Sequence, residues 1–237
     1  MNLKAIFIDI DNTLLDFNEY VVEAMKNGFE RFNIGKFEPY MADCFHDVNN
    51  NLWRQIEDGK IDFLTLRKIR WNKVFEILGY SYDGESFERY FRSFLRESAI
   101  PIEGAYEVLS YLKSKYIVCL ASNGPTDQQT HRIELASMSR YIDYYFTSEY
   151  IGVSKPKREY FEKCFELLNE NRSDIIKPNE CLMIGDSLSS DIYGALEYGM
   201  YTCLYERGSM LNHGYLNNAH YTVEKLTDII KLLEEEL

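Results

Sequence analysis

Residues 4–14 read Lys4-Ala5-Ile6-Phe7-Ile8-Asp9-Ile10-Asp11-Asn12-Thr13-Leu14. A short apolar run closed by acids and turn formers is too tightly bounded for a long helix. It reads as a strand over 4–10 with both faces buried, the usual state of a strand in a parallel sheet. Residues 116–121 (YIVCLA), 181–184 (CLMI) and 201–205 (YTCLY) repeat the pattern, and 144–147 (YYFT) is a weaker member. Helical patterns over 103–114, 126–138, 158–169 and 189–198 alternate with these runs. Such alternation implies right-handed βαβ units: an α/β fold with a Rossmann-like parallel sheet and helices on both faces. Ligands of such sheets bind beyond the carboxyl ends of the strands.

Residues 17–98 interrupt the alternation. Val21, Val22, Met25, Phe29 and Phe32 recur near helical spacing, as do Leu64, Ile69, Val74, Phe75 and Leu78, and then Phe87, Tyr90, Phe91, Phe94 and Leu95. The expected organisation is a catalytic core of residues 1–16 and 99–237 with an inserted helical cap at 17–98, a bundle of four helices. Pro101 and Gly104 mark the return to the core.

The chain has 237 residues, 46% hydrophobic and 27% charged, with a formal net charge of -12. That composition supports a packed core and is not that of a disordered chain. The acidity disfavours a nucleic-acid polymer or an anionic membrane as partner. No apolar run approaches the ~18 residues of a membrane span. The opening MNLKAIFI lacks a charged n-region before its apolar run, so no secretory signal is expected. Cys44, Cys119, Cys164, Cys181 and Cys203 are scattered and never spaced C-x-x-C, which fits reduced thiols in a cytoplasmic protein. His46, His131, His213 and His220 form no spaced pair, and Glu234, Glu235 and Glu236 read as a solvated helix end.

Four blocks carry chemistry, each just after an expected strand. Asp9 and Asp11 can point into one crevice, one attacking an electrophile and the other moving protons, and their crowding calls for a cation. The plainer reading is a polar turn. Ser122-Asn123-Gly124 offers a hydroxyl, an amide and a flexible backbone to phosphate oxygens, or is an ordinary turn. Lys155-Pro156 supplies a cation that can hold a transferring phosphoryl group, or is a surface charge. Gly185-Asp186-Ser187-Leu188-Ser189-Ser190-Asp191 places one carboxylate at a strand end as a ligand for Mg²⁺. It places another in the first turn of a helix, where it can support the metal or the backbone.

In this order, the four blocks resemble the haloacid dehalogenase-like hydrolase superfamily across nearly the whole chain. The resemblance implies Asp9 as nucleophile, Asp11 as general acid and base, Ser122 on the phosphoryl oxygens and Lys155 as balancing cation. It implies Mg²⁺ held by Asp9, Asp186 and the Asp11 backbone carbonyl, with Asp191 in support. Phosphatases and phosphomutases of the superfamily carry an acid at the place of Asp11, whereas its dehalogenases do not. After Lys155-Pro156 relatives often continue with Asp-Pro. Here Lys157 and Arg158 follow, either as surface charges or as positive potential at the site mouth.

Within the superfamily the opening block, Ile151-Gly152-Val153-Ser154-Lys155-Pro156, the block from Ile184 to Ile192, and Gly199, Thr202 and Cys203 are similar to bacterial house-cleaning pyrimidine 5′-nucleotidases. This implies a small phosphorylated metabolite, a nucleoside 5′-monophosphate, as substrate. Arg67, Arg70 and Trp71 share one face of an expected helix and are candidates for specificity through base stacking and phosphate or ribose contacts. The plainer alternative has Trp71 packed inside the insertion and both arginines in solvent. Trp53 reads as core. A sugar phosphomutase, a phosphoglycolate-type phosphatase and a phospho-accepting regulatory module stay open beside the nucleotidase, as do monomer and homodimer.

Overall fold

The run that opens the sequence forms β1 (Ala5–Ile8), with every residue buried. It pairs in parallel with β2 (Ile117–Ser122) on one side and β4 (Cys181–Gly185) on the other. With β3 (Tyr144–Thr147), β5 (Tyr201–Tyr205) and β6 (Tyr221–Val223), the sheet has the order β3-β2-β1-β4-β5-β6, parallel throughout. The chain winds outward one way from β1 to β3, then crosses back to β4. That reversal places a crevice at the carboxyl ends of β1, β2 and β4. The computed structural model describes residues 2–207 and 216–235.

Helices cover both faces. Ile6, Ile8, Leu120 and Leu182 pack on one side with α5 (Ala105–Lys115) and α10 (Asp228–Glu235), through Val108, Leu109, Leu112, Ile229 and Leu233. Phe7, Cys119, Phe146 and Met183 pack on the other with α8 (Arg158–Asn169) and Ala195 of α9 (Gly194–Tyr198), Phe7 stacking on Phe165 at 5.5 Å. Two shorter elements, α6 (Thr126–Leu135) and α7 (Ser148–Ile151), follow β2 and β3. Cys119, Cys164, Cys181 and Cys203 are free and buried within these layers. No helix among the described residues is long and apolar enough to cross a membrane.

The structure divides into two compact units, Met1–Asp16 with Ala99–Leu237, and Phe17–Ser98. The second unit consists of α1 (Phe17–Arg31), α2 (Tyr40–Glu57), α3 (Phe63–Leu78) and α4 (Gly84–Arg96). Asp62 caps α3 by accepting from the Thr65 N–H at 2.7 Å, and Asp83 caps α4 through the N–H groups of Glu85 and Ser86. Its core is aromatic. Trp71 is fully buried, 4.3 Å from Phe87 and 5.0 Å from both Phe45 and Phe91, measured between ring centroids.

Several elements depart from expectation. β1 ends at Ile8, where the chain turns away to carry its acids. The helix expected over 126–138 ends at Leu135, and Ser137 takes a left-handed φ of 54°. The helix expected over 189–198 opens as a six-residue π-helical turn, Leu188–Tyr193. β6, only three residues long, was not expected. His213 and Glu236 lie outside the described residues.

Candidate active site

The loop after β1 is tied into a small knot. The N–H groups of Leu14 and Leu15 both donate to the Ile10 carbonyl at 2.8 Å, and Asn12 turns the chain with φ 60°, a conformation asparagine tolerates. Asp9 is anchored to the neighbouring strand by its N–H on the Ile184 carbonyl at 2.9 Å. Asp9 and Asp11 thus leave the sheet at the crevice.

Lys155 is 1% exposed, and its ammonium donates to Asp9 Oδ1 at 2.8 Å, Asp191 Oδ1 at 2.6 Å and the Ala121 carbonyl at 2.6 Å. All three of its donors are used. The other oxygen of Asp191 accepts the Ser187 N–H at 3.1 Å. The π-helical turn brings Asp191 back over Gly185, where a Cβ would lie 2.2 Å from Asp191 Oδ2, so only glycine fits. Asp9, Asp186 and Asp191 each place an oxygen within 4.8 Å of the others.

One ammonium therefore faces three carboxylates. Burial pushes the Asp9 carboxyl up to about 8, with Lys155 opposing and Asp191 adding to the rise. Burial and the charges of Asp9 and Asp191 hold Asp186 well above the usual carboxylate range. Burial pulls Lys155 down, but Asp191 and Asp9 outweigh it and keep the ammonium charged. This surplus of carboxyl groups over cations, on oxygen donors alone, fits a hard divalent cation whose charge would displace their protons.

Ser122 closes β2. Its Oγ accepts from the Gly124 N–H at 3.1 Å and from Gln129 Nε2 at 2.8 Å. Asn123 spends one of its two amide N–H donors inside the protein. Its side chain bridges to the Lys155 main chain, donating to the carbonyl at 3.0 Å and accepting the N–H at 2.9 Å, and so fixes the lysine loop.

The Asp11 carboxylate stands apart from the three-acid cluster. Its Oδ1 accepts from Arg132 Nη1 at 2.7 Å and its Oδ2 from Gln129 Nε2 at 2.8 Å. Sequence reasoning missed both partners. Their signal was their spacing, three residues apart on the helix that directly follows Ser122–Gly124.

The three candidates in the helical unit are not gathered into a binding face. Trp71 is enclosed by phenylalanines. Arg70 is neither solvated nor offered to a ligand, because Glu88 takes its Nε at 3.1 Å and Nη2 at 2.7 Å, and Asn49 takes Nη1 at 2.9 Å. Arg67 lies over the Phe63 ring at 4.2 Å, and Trp53 packs on the same ring. In the core unit, Arg158 pairs with Glu162 at 2.9 Å on the surface of α8 and covers Tyr198, so it is an exposed surface charge.

Carboxylates and a buried lysine thus gather at the carboxyl edge of a parallel sheet of Rossmann-like architecture, where such folds bind their ligands. Residues 3–199 match the model of the haloacid dehalogenase-like hydrolase family, and the chain belongs to that family. It is 30% identical to the HAD-hydrolase YfnB of Bacillus subtilis over 84% of this chain and 83% of that one. The magnesium-bound crystal structure of YfnB superposes with a TM-score of 0.86, at 28% identity over 98% of this chain and 99% of the other. Pyrimidine 5′-nucleotidase PynA of Streptococcus pneumoniae is 27% identical over 100% of this chain and 98% of its own. A glyceraldehyde 3-phosphate phosphatase of Pyrococcus furiosus is 28% identical over 99% and 94% respectively.

Proposed function

We propose that the protein is a Mg²⁺-dependent phosphatase that hydrolyses small phosphate monoesters through an aspartyl phosphate, with nucleoside 5′-monophosphates as its substrates. The observation that carries this reading is the pairing of Asp9, on Lys155 at 2.8 Å, with a second carboxylate at Asp11, tied through Gln129 to Ser122. The end-to-end likeness to a pyrimidine 5′-nucleotidase supports the substrate class.

Asp9 attacks phosphorus while Asp11, as general acid, delivers a proton to the departing ester oxygen as the P–O bond breaks. Asp11, now a carboxylate, takes a proton from water, whose oxygen attacks the phosphorus of the acyl phosphate. Inorganic phosphate leaves and Asp9 is restored. Lys155 offsets negative charge at Asp9 throughout, and the Ser122 hydroxyl donates to a phosphoryl oxygen. Asp9, Asp186 and the Asp11 backbone carbonyl would hold Mg²⁺, with Asp191 in support. The ion supplies neutralising charge and orientation for the phosphoryl oxygens. Residues 17–98 serve as the cap that selects among substrates. A cytoplasmic address is supported by the five free cysteines.

A triose or sugar phosphate is the second reading, favoured by the likeness to the glyceraldehyde 3-phosphate phosphatase. The test is phosphate release from a panel of pyrimidine and purine monophosphates, sugar phosphates, glyceraldehyde 3-phosphate and phosphoglycolate, with Mg²⁺ and with excess chelator. Pyrimidine monophosphates should turn over fastest and chelator should abolish release. Interconversion of sugar-phosphate isomers without phosphate release would replace hydrolysis by mutase chemistry.

A further inference from the structure

Arg132 and Gln129 are buried, at 1% and 0% exposure, yet both carry polar heads toward the crevice. Arg132 Nη1 reaches Asp11 Oδ1 at 2.7 Å and Gln129 Oε1 at 2.9 Å. Gln129 Nε2 is shared between Asp11 Oδ2 and Ser122 Oγ, at 2.8 Å to each. The result is a chain of contacts from a guanidinium, through the acid, to the hydroxyl that faces phosphate. Gly124 makes room for it, because a Cβ there would sit 2.5 Å from Gln129 Nε2.

Two consequences follow from donor and acceptor counting. A hydroxyl oxygen has two acceptor sites, and those of Ser122 are filled by Gly124 N–H and Gln129 Nε2. The Ser122 O–H proton is left to point outward as a donor. Each oxygen of Asp11 is held by a different buried donor, so the carboxylate is fixed in both position and plane. A proton donor placed this way stands at a set distance from the phosphoryl oxygens that Ser122 binds.

We propose that Arg132 and Gln129 are positioning residues that aim Asp11 at the ester oxygen and lock it to Ser122. The proposal rests on Asp11 being the acid and base of the hydrolysis above. A purely structural role, in which Asp11 only neutralises a buried arginine, predicts a different outcome.

The experiment compares kcat/KM for an alkyl phosphate monoester and for p-nitrophenyl phosphate, in wild type, Arg132→Met, Arg132→Lys and Gln129→Met, each with saturating Mg²⁺. kcat/KM reports the first phosphoryl transfer. An alkoxide leaving group needs the proton there and p-nitrophenolate hardly does. Arg132→Met should lose on the order of 10²-fold on the alkyl ester and less than about threefold on the aryl ester. Arg132→Lys should recover part of that loss. Gln129→Met should show the same contrast more weakly, and it keeps the test available if Arg132→Met does not fold. Thermal melts run beside the kinetics. Equal losses on both esters that track a lowered Tm would overturn the positioning role, as would unchanged kinetics. A wild-type protein that releases phosphate from neither ester would overturn the hydrolytic reading itself, and this proposal with it.

Discussion

Each unit of the chain buries a cation among carboxylates, and the two arrangements differ in their charge count. In the helical unit Arg70 meets one acid, Glu88, through two hydrogen bonds, with Asn49 on a third donor and the rings of Phe45 and Phe91 at 5.4 and 5.0 Å. That cluster is neutral and enclosed. In the core Lys155 meets Asp9 and Asp191, with Asp186 in the same cluster. That cluster has more carboxyl groups than cations, and burial keeps protons on the surplus, Asp9 and Asp186, until another cation takes their place. A balanced buried pair is complete as a piece of structure, whereas an unbalanced one stores a demand for positive charge that a ligand can meet.

The contrast breaks most sharply at Asp9, the proposed nucleophile. Asp9→Asn should reduce phosphate release on the order of 10⁴-fold or more in a Mg²⁺-supplemented assay, while leaving Tm equal or higher because one of three crowded acids is gone. Lys155→Met should lose activity and cost roughly 3–5 kcal/mol by urea denaturation, since it leaves buried acids without their cation. Arg70→Met should cost a similar roughly 3–5 kcal/mol. The second change separates the two sites. Arg70→Met combined with Glu88→Leu should return to within about 2 kcal/mol of wild type, because a neutral pair can be exchanged for apolar packing. Lys155→Met combined with Asp191→Leu should stay inactive.

The pH response sharpens the same point. Without divalent cation, Asp9 holds its proton up to about pH 8, against a value of 3.8 for the free side chain. The folded chain then binds more protons than the unfolded one between these values, so stability falls as pH rises through that window. Tm should be lower at pH 8 than at pH 5, equivalent to on the order of 1–3 kcal/mol, and saturating Mg²⁺ should flatten the slope. Phosphate or vanadate should bind, by calorimetry, only when the divalent cation is present. The smallest effect is expected at the exposed pair. Arg158→Ala should change stability by less than about 0.5 kcal/mol and leave kcat/KM unaltered, because its partner Glu162 is solvated.

The core was readable where burial is two-sided. Strands such as Ala5–Ile8 and Cys181–Gly185 are apolar without interruption, and their ends are marked by acids and glycine. The short edge strand Tyr221–Val223 carries an exposed Thr222, so it left no such run. Asp9 and Asp186 stood out because each closes an apolar strand, Asp191 because it follows Asp186 into the next helix, and Lys155 only in the company of those blocks; the structure brings all four together. Gln129 and Arg132 did not, since polar residues on α6 look like an ordinary solvated face until the fold turns them inward. Arg70 misled for the same reason. A helix with polar residues on two sides does not say which side is buried, and Glu88, the residue that decides it, is 18 positions away.

The position of β1 has a consequence for how the molecule comes to be made. It is the first strand of the chain but lies in the middle of the sheet, with Ala5 against Ile117 on one side and Cys181 on the other. Its first pairing therefore closes a loop of about 110 residues. The added closure entropy over a thirty-residue βαβ unit is only about 1 kcal/mol, so equilibrium stability hardly registers the insertion. The rate should register it, because pairing this distant is intrinsically slow. On a ribosome, β1 must wait with its apolar side chains unpaired until the helical unit and β2 have both emerged. The strand that leads to Asp9 thus finds its neighbours only long after it is made, with β2 and β4 both far downstream, and acquisition of activity should mark the completion of folding.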